Sequence, residues 1–225
     1  MVIAARALSR RYGARWALAR LDLEVGPGER LLIVGANGSG KTTLLRLLST
    51  MLLPSLGELR LFDRPSTDPS VRAKVALLTH HLGLYEDLSG PENLRVLLGL
   101  LGRADERPEP LLERVGLEVR PDPVRGYSAG MRKRLAFARA IAQRPELLLL
   151  DEPYGALDPA GFNFVDTLVR ELSEQGTTMV IASHQVARAG ALCPRAMLLD
   201  RGQVRWEGAG ADAERAWVTL HGGAA

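Results

Sequence analysis

The sequence predicts an α/β fold, a mainly parallel sheet flanked by helices with a helical lobe inserted midway. Three observations carry that expectation. Strand and helix alternate from residue 147 to residue 199, the pattern of parallel strands joined by crossover helices. A short apolar run, Leu31-Leu32-Ile33-Val34, leads into a glycine-rich loop and a helix. Between about residues 84 and 142 the reading changes to helices with no strand among them.

Taken in order, residues 21–25 alternate apolar and acidic side chains, the period of a half-buried strand. Pro27-Gly28 makes a turn, and residues 31–34 suit a central strand buried on both faces. Residues 42–50 read as a helix, and residues 59–62 and 75–78 as further strands. In the lobe, helices are expected at 92–101, at 109–115 (ended by Gly116) and at 129–142, where Ser128 is the N-cap and Pro145 lies beyond the end. Strands at 147–150, 178–182 and 196–199 then alternate with helices at 160–174 and 185–192. The tail, Gly222 to Ala225, is expected to fray.

Composition narrows the function. With 46% hydrophobic and 24% charged residues among 225, the chain has the makings of a sizeable core. One cysteine, Cys193, excludes an internal disulfide framework and a cysteine-built zinc site. The four histidines show no ligand spacing. The first residues are charged too soon for a secretory signal, and no run approaches the length of a membrane span, so a membrane role would come through a partner. A net charge of +3, spread along the chain, argues against nucleic acid. Only three of the 29 basic residues are lysines (Lys41, Lys74 and Lys133), a scarcity that fits the bias of a GC-rich or thermophilic genome and sets the retained lysines apart.

The loop Gly35-Ala36-Asn37-Gly38-Ser39-Gly40-Lys41-Thr42 fits G-x-x-x-x-G-K-[ST]. Its glycines let backbone N–H groups turn toward phosphate oxygens, with Thr43 next in the helix whose positive end they precede. Lys41 is expected to reach the terminal phosphates, and the Thr42 hydroxyl to ligate Mg²⁺. Downstream, Leu147-Leu148-Leu149-Leu150-Asp151-Glu152 is a buried strand ending in two acids, where such sheets gather ligand chemistry. Asp151 is assigned to Mg²⁺ through water and Glu152 to the attacking water. Together the two motifs indicate a P-loop NTPase.

Three further segments narrow the class. Tyr127-Ser128-Ala129-Gly130-Met131 is similar to the L-S-G-G-Q signature of ABC ATPases; Ala156-Leu157-Asp158 resembles their D-loop, and Ser183-His184 their switch histidine at the γ-phosphate. The resemblance covers essentially the whole chain. It implies a single ATPase domain over 1–225: a P-loop core, an N-terminal antiparallel β part and a helical lobe at about 84–143 carrying the signature. It also implies a head-to-tail dimer (a homodimer or a paired ABC ATPase) in which ATP lies between the loop of one subunit and Ser128 and Gly130 of the other. Tyr12, upstream of the first paired strands, matches the aromatic that stacks on adenine. The glutamine that normally contacts Mg²⁺ is replaced: by spacing His81, in Thr79-His80-His81-Leu82-Gly83, stands there. A neutral imidazole can accept a hydrogen bond from bound water and a protonated one cannot, so hydrolysis is expected to fall on acidification near neutrality. Tyr127, Ala129 and Met131 also depart from the signature.

The resemblance implies the ATP-hydrolysing motor of a transporter, cytoplasmic and peripheral on the inner membrane face through separate integral permease subunits. Residues 78–83, with Leu88-Ser89, Glu92-Asn93-Leu94 and His184-Gln185, look like the ATP-binding subunit of haem exporters in cytochrome c maturation (the CcmA type). The alternatives are another ABC exporter, or a soluble ABC ATPase acting as a scaffold like that of iron–sulfur assembly. A GTPase reading lacks an N-K-x-D motif.

Overall fold

A computed structural model describes residues 1–221; the tail expected to fray lies outside them. The chain opens with β1 (Ile3–Tyr12) and β2 (Arg15–Val25), followed by β3 (Arg30–Val34) and α1 (Lys41–Leu48). Then come β4 (Leu56–Leu61), β5 (Arg64–Pro65), α2 (Pro69–Arg72) and β6 (Val75–Leu78). Helices α3 (Gly90–Leu100), α4 (Glu109–Arg114) and α5 (Ala129–Ala142) follow without a strand between them. The alternation resumes with β7 (Leu147–Asp151), α6 (Pro159–Glu174), β8 (Thr178–Ala182), α7 (Val186–Leu192) and β9 (Arg195–Asp200), and closes with β10 (Gln203–Ala209) and α8 (Ala213–His221).

Two sheets form. One is antiparallel, in the order β2-β1-β4-β5; the other runs β10-β9-β3-β8-β7-β6, parallel except for the β10–β9 hairpin. Successive side chains of a strand point to opposite faces, so an all-apolar strand between two layers feeds two cores. Leu31, Ile33, Leu147, Leu149 and Val180 pack toward α1 and the antiparallel sheet. Leu32, Val34, Leu148, Leu150, Met179 and Ile181 pack on the other face, against α5, α6 and α7. The four leucines of β7 are fully buried, worth about 1.5–3 kcal/mol each relative to exposure.

Several expectations shift at their edges. The third helix begins at Gly90, not 92, because Ser89 and Glu92 form a reciprocal capping box with Pro91 inside the first turn. The alternation read at 21–25 is only the end of β2. Its partner β1 escapes a period-two reading because irregularities between Ala5, Leu8, Arg10 and Arg11 break the alternation. Tyr12 is therefore not upstream of the first paired strands: it ends β1, paired with Arg15 across the hairpin. Strand β10 exposes alternate residues. The signal for it was Arg201-Gly202, whose positive φ values of 48° and 78° make the two-residue hairpin turn.

Candidate functional site: a phosphate-loop cleft at the ends of the parallel strands

The loop after β3 curls over the start of α1. Gly35 leaves no room for a side chain: a Cβ there would lie 2.3 Å from Ser39 Oγ and 2.5 Å from Leu199 O. Gly40, at φ 114°, adopts a backbone that side chains rarely take, and caps α1. The Ser39 hydroxyl is buried without a hydrogen-bond partner, and an orphaned polar atom at a loop of this shape marks a place for a polar ligand. Lys41 Nζ donates to Gly35 O at 2.7 Å and Ala36 O at 3.1 Å. Burial lowers its pKa, opposed by the charges of Glu152 and Asp151.

Strand β7 delivers the acids. Asp151 is buried, and its Oδ2 accepts from Thr42 Oγ1 at 2.8 Å. A hydroxyl and a carboxylate side by side form a sparse, hard-oxygen donor set. Among the described residues no group of three or more His, Cys, Asp or Glu side chains gathers to hold a metal alone. That combination fits Mg²⁺, which keeps waters and shares its ligation with substrate phosphates. Glu152 stands at φ 51°. Its Oε2 lies 2.7 Å from His184 Nδ1 and accepts from the His184 backbone N–H at 3.2 Å. Since the carboxylate accepts, Nδ1 carries the proton in this contact.

A cleft of about 380 Å³ joins these groups, within the range of small-molecule sites. Its walls include Tyr12, Asn37, Gly38, Gly40, Lys41, Thr42, Thr43, Asp151 and Glu152 from the sequence reading. Tyr12 is 45% exposed, with the Arg10 guanidinium 5.0 Å from its ring centre. The wall also contains Arg15, Ala17 and His80, which sequence reasoning did not single out. His81, expected by spacing, lies instead in a neighbouring cleft with Arg46, Met51 and Arg139. The cause is local: β6 stops at Leu78, and Thr79 Oγ1 donates to His81 O in a tight turn. His80 thereby faces the phosphate loop.

Ser128 and Gly130 do not reach this cleft in their own chain. Ser128 caps α5, accepting from Met131 N at 3.2 Å, and Gly130 lies in the first turn. Asp158 caps α6 through Gly161 N at 2.7 Å. Tyr127 is buried, and its hydroxyl oxygen accepts from the Gly90 backbone N–H at 3.2 Å.

Residues 18–155 match the family described as ABC transporter, more than half of the chain. The chain belongs to the ABC transporter family. It is similar to a daunorubicin resistance ATP-binding protein of Streptomyces coeruleorubidus, 41% identical over 88% of this chain and 65% of that one. An ABC transporter ATP-binding protein of Bacillus subtilis is 35% identical over 89% and 67%. The chain thus spans about two thirds of the length of these relatives. Its fold is close to that of a solved dimeric ATP-binding cassette in a post-hydrolysis state with ADP and Pi: TM-score 0.83, 25% identity, 92% of this chain and 98% of that one. The ATP-binding subunit of another ABC transporter gives TM-score 0.86 at 26% identity, over 99% and 95%. The phosphate-loop cleft therefore belongs to an ABC ATPase domain.

Proposed function

We propose that the chain is the ATP-hydrolysing motor subunit of an ABC exporter, working as a head-to-tail dimer beneath separate integral membrane subunits. The observation that carries the reading is the Glu152–His184 pair, 2.7 Å apart, at the edge of the phosphate-loop cleft. The loop N–H groups and Lys41 bind and orient the phosphates. Thr42 and Asp151 would hold Mg²⁺, which supplies charge neutralisation when bound. His184 fixes the Glu152 carboxylate so that its other oxygen can accept a hydrogen bond from the attacking water. In the dimer, Ser128 and Gly130 at the start of α5 offer the partner's nucleotide a positive helix end. Tyr12 presents its ring to the base.

Among the described residues no helix is long and apolar enough to cross a membrane; in this proposal the chain attaches peripherally to the inner face through permease partners. A relative named for Nod factor export supports the export form of the proposal, and relatives named for daunorubicin resistance and bacitracin transport support a transporter subunit. Haem export for cytochrome c maturation is a narrower form of the same proposal, supported by residues 78–83 and His184-Gln185. The test is Glu152→Gln, tagged and purified with ATP from solubilised native membranes. Integral membrane subunits in the eluate support the motor reading, and haem-handling proteins among them the narrower one. Soluble assembly proteins alone overturn it in favour of the scaffold.

A further inference from the structure

Two of the three lysines are buried, Lys41 at 7% exposure and Lys133 at 5%. The third, Lys74, makes a partly exposed pair with Glu146. Lys41 belongs to the phosphate loop. Lys133 belongs to α5, the helix that begins at Ser128, and none of the chemistry above uses it. Its Nζ reaches out of the lobe and donates to the backbone carbonyl of Glu152 at 3.0 Å.

That carbonyl belongs to a residue whose conformation needs support. Glu152 is a non-glycine residue at φ 51°, a region that costs an ordinary side chain roughly 1–2 kcal/mol. Something must hold it there. Its N–H donates to Ala182 O at 2.8 Å, and its carbonyl accepts from Gly155 N at 3.1 Å in the turn that follows. Its carboxylate is held by His184. These three contacts come from the sheet side of the molecule. Lys133 supplies a contact from the helical lobe, and it is charge-assisted, which makes it the stronger kind. A buried ammonium needs such a partner in turn. Burial pushes Lys133 down to about 8 while the Asp151 and Glu152 charges pull it back up, which is consistent with an amine packed against the acidic end of β7.

The placement couples two places. Lys133 stands five residues beyond Ser128 on a continuous α5, about 7.5 Å along the axis. A displacement of the Ser128 end of α5 is therefore passed to the peptide that aims Glu152 within the same chain. We infer that Lys133 is a positioning residue for hydrolysis: it clamps the Glu152 peptide from the helical lobe, so that the catalytic carboxylate is aimed only when α5 is in place. This rests on the reading of Glu152 as the residue that orients water.

The test uses the purified full chain, with ATP turnover, equilibrium ATP binding and thermal melting measured on each variant. Lys133→Met keeps the length and loses the donor. It should lower kcat about tenfold, since small misplacements of a catalytic group carry losses of this order or more, with the Kd for ATP unchanged within about twofold. Lys133→Arg, of similar volume and still a cationic donor, should recover most of the rate. A Met variant that turns over at the parental rate overturns the inference. So does one whose rate falls only in step with ATP binding, or one that fails to fold, since Lys133 would then be a packing residue. An Arg variant as slow as the Met variant overturns it as well. Glu152→Gln is the control. If it is nearly inactive while Lys133→Met is normal, the clamp alone fails; if Glu152→Gln hydrolyses at full rate, the assignment of Glu152 fails and the clamp with it.

Discussion

The phosphate loop and the segment after β6 both follow buried strands of the same sheet and both border the same cleft, yet they are specified in opposite ways. The loop is held by covalent neighbours. Gly35 has no room for a side chain, Gly40 has a backbone that only glycine adopts easily, and Lys41 and Thr42 follow directly in the helix they start. Residues 79–83 carry less internal constraint: the Thr79–His81 turn, with Gly83 at φ 62°. Both histidines are exposed, and the segment is fastened from outside by Arg139 of α5, which donates to Leu82 O at 3.0 Å and to Gly83 O. A contiguous motif can be read to the residue, whereas a segment fastened by a distant helix can be read only to within a position or two.

Substitutions in each region sharpen this contrast. The largest effect is expected from Gly35→Ala, whose Cβ would collide with Ser39 and with the Leu199 carbonyl. Because backbone must move, ATP binding should weaken at least tenfold, which is about 1.4 kcal/mol or more; titration with a fluorescent nucleotide measures it. Unchanged affinity would show that the loop tolerates rearrangement as the other segment does. Next comes Arg139→Met, which removes the external fastening while the phosphate loop stays intact. Loss of hydrogen bonds from a charged donor should cost about 1–2 kcal/mol of stability, read by denaturant unfolding, with ATP affinity close to parental. Smallest is the exchange between neighbours. His80→Gln should change turnover about two- to fivefold, because the His80 ring lines the cleft and an amide offers a different set of hydrogen-bond atoms there. His81→Gln should leave turnover unaltered in the isolated chain. The reverse result would restore the assignment that spacing alone suggested.

Much of the candidate site was legible because its residues are adjacent in the chain. Gly35 to Thr43 and Asp151-Glu152 follow apolar strands, and alternating burial on two faces requires those strands to be central. Ser128 was legible as a cap because a hydroxyl before a helical run is a local signal. What was missed depends on contacts between distant elements. Arg15 joins the cleft only because the β1–β2 hairpin folds its end over the loop. The placement of His80 in the cleft wall depends on where β6 stops. The contact of Lys133 with Glu152 spans 19 residues and two layers, and its only trace in the sequence is that lysine is rare in this chain.

By itself, then, the sequence determined the alternation of strands and helices, the phosphate-binding loop, the acidic strand end and the caps. Periodicity, glycine conformation and capping all act over a few residues, so a linear string records them. The tertiary structure decided which histidine faces the nucleotide cleft, that His184 grips Glu152, and that a lysine from the lobe holds the Glu152 peptide in a left-handed conformation. Those outcomes come from the packing of one layer on another, where position in space and not spacing in the chain sets which groups meet.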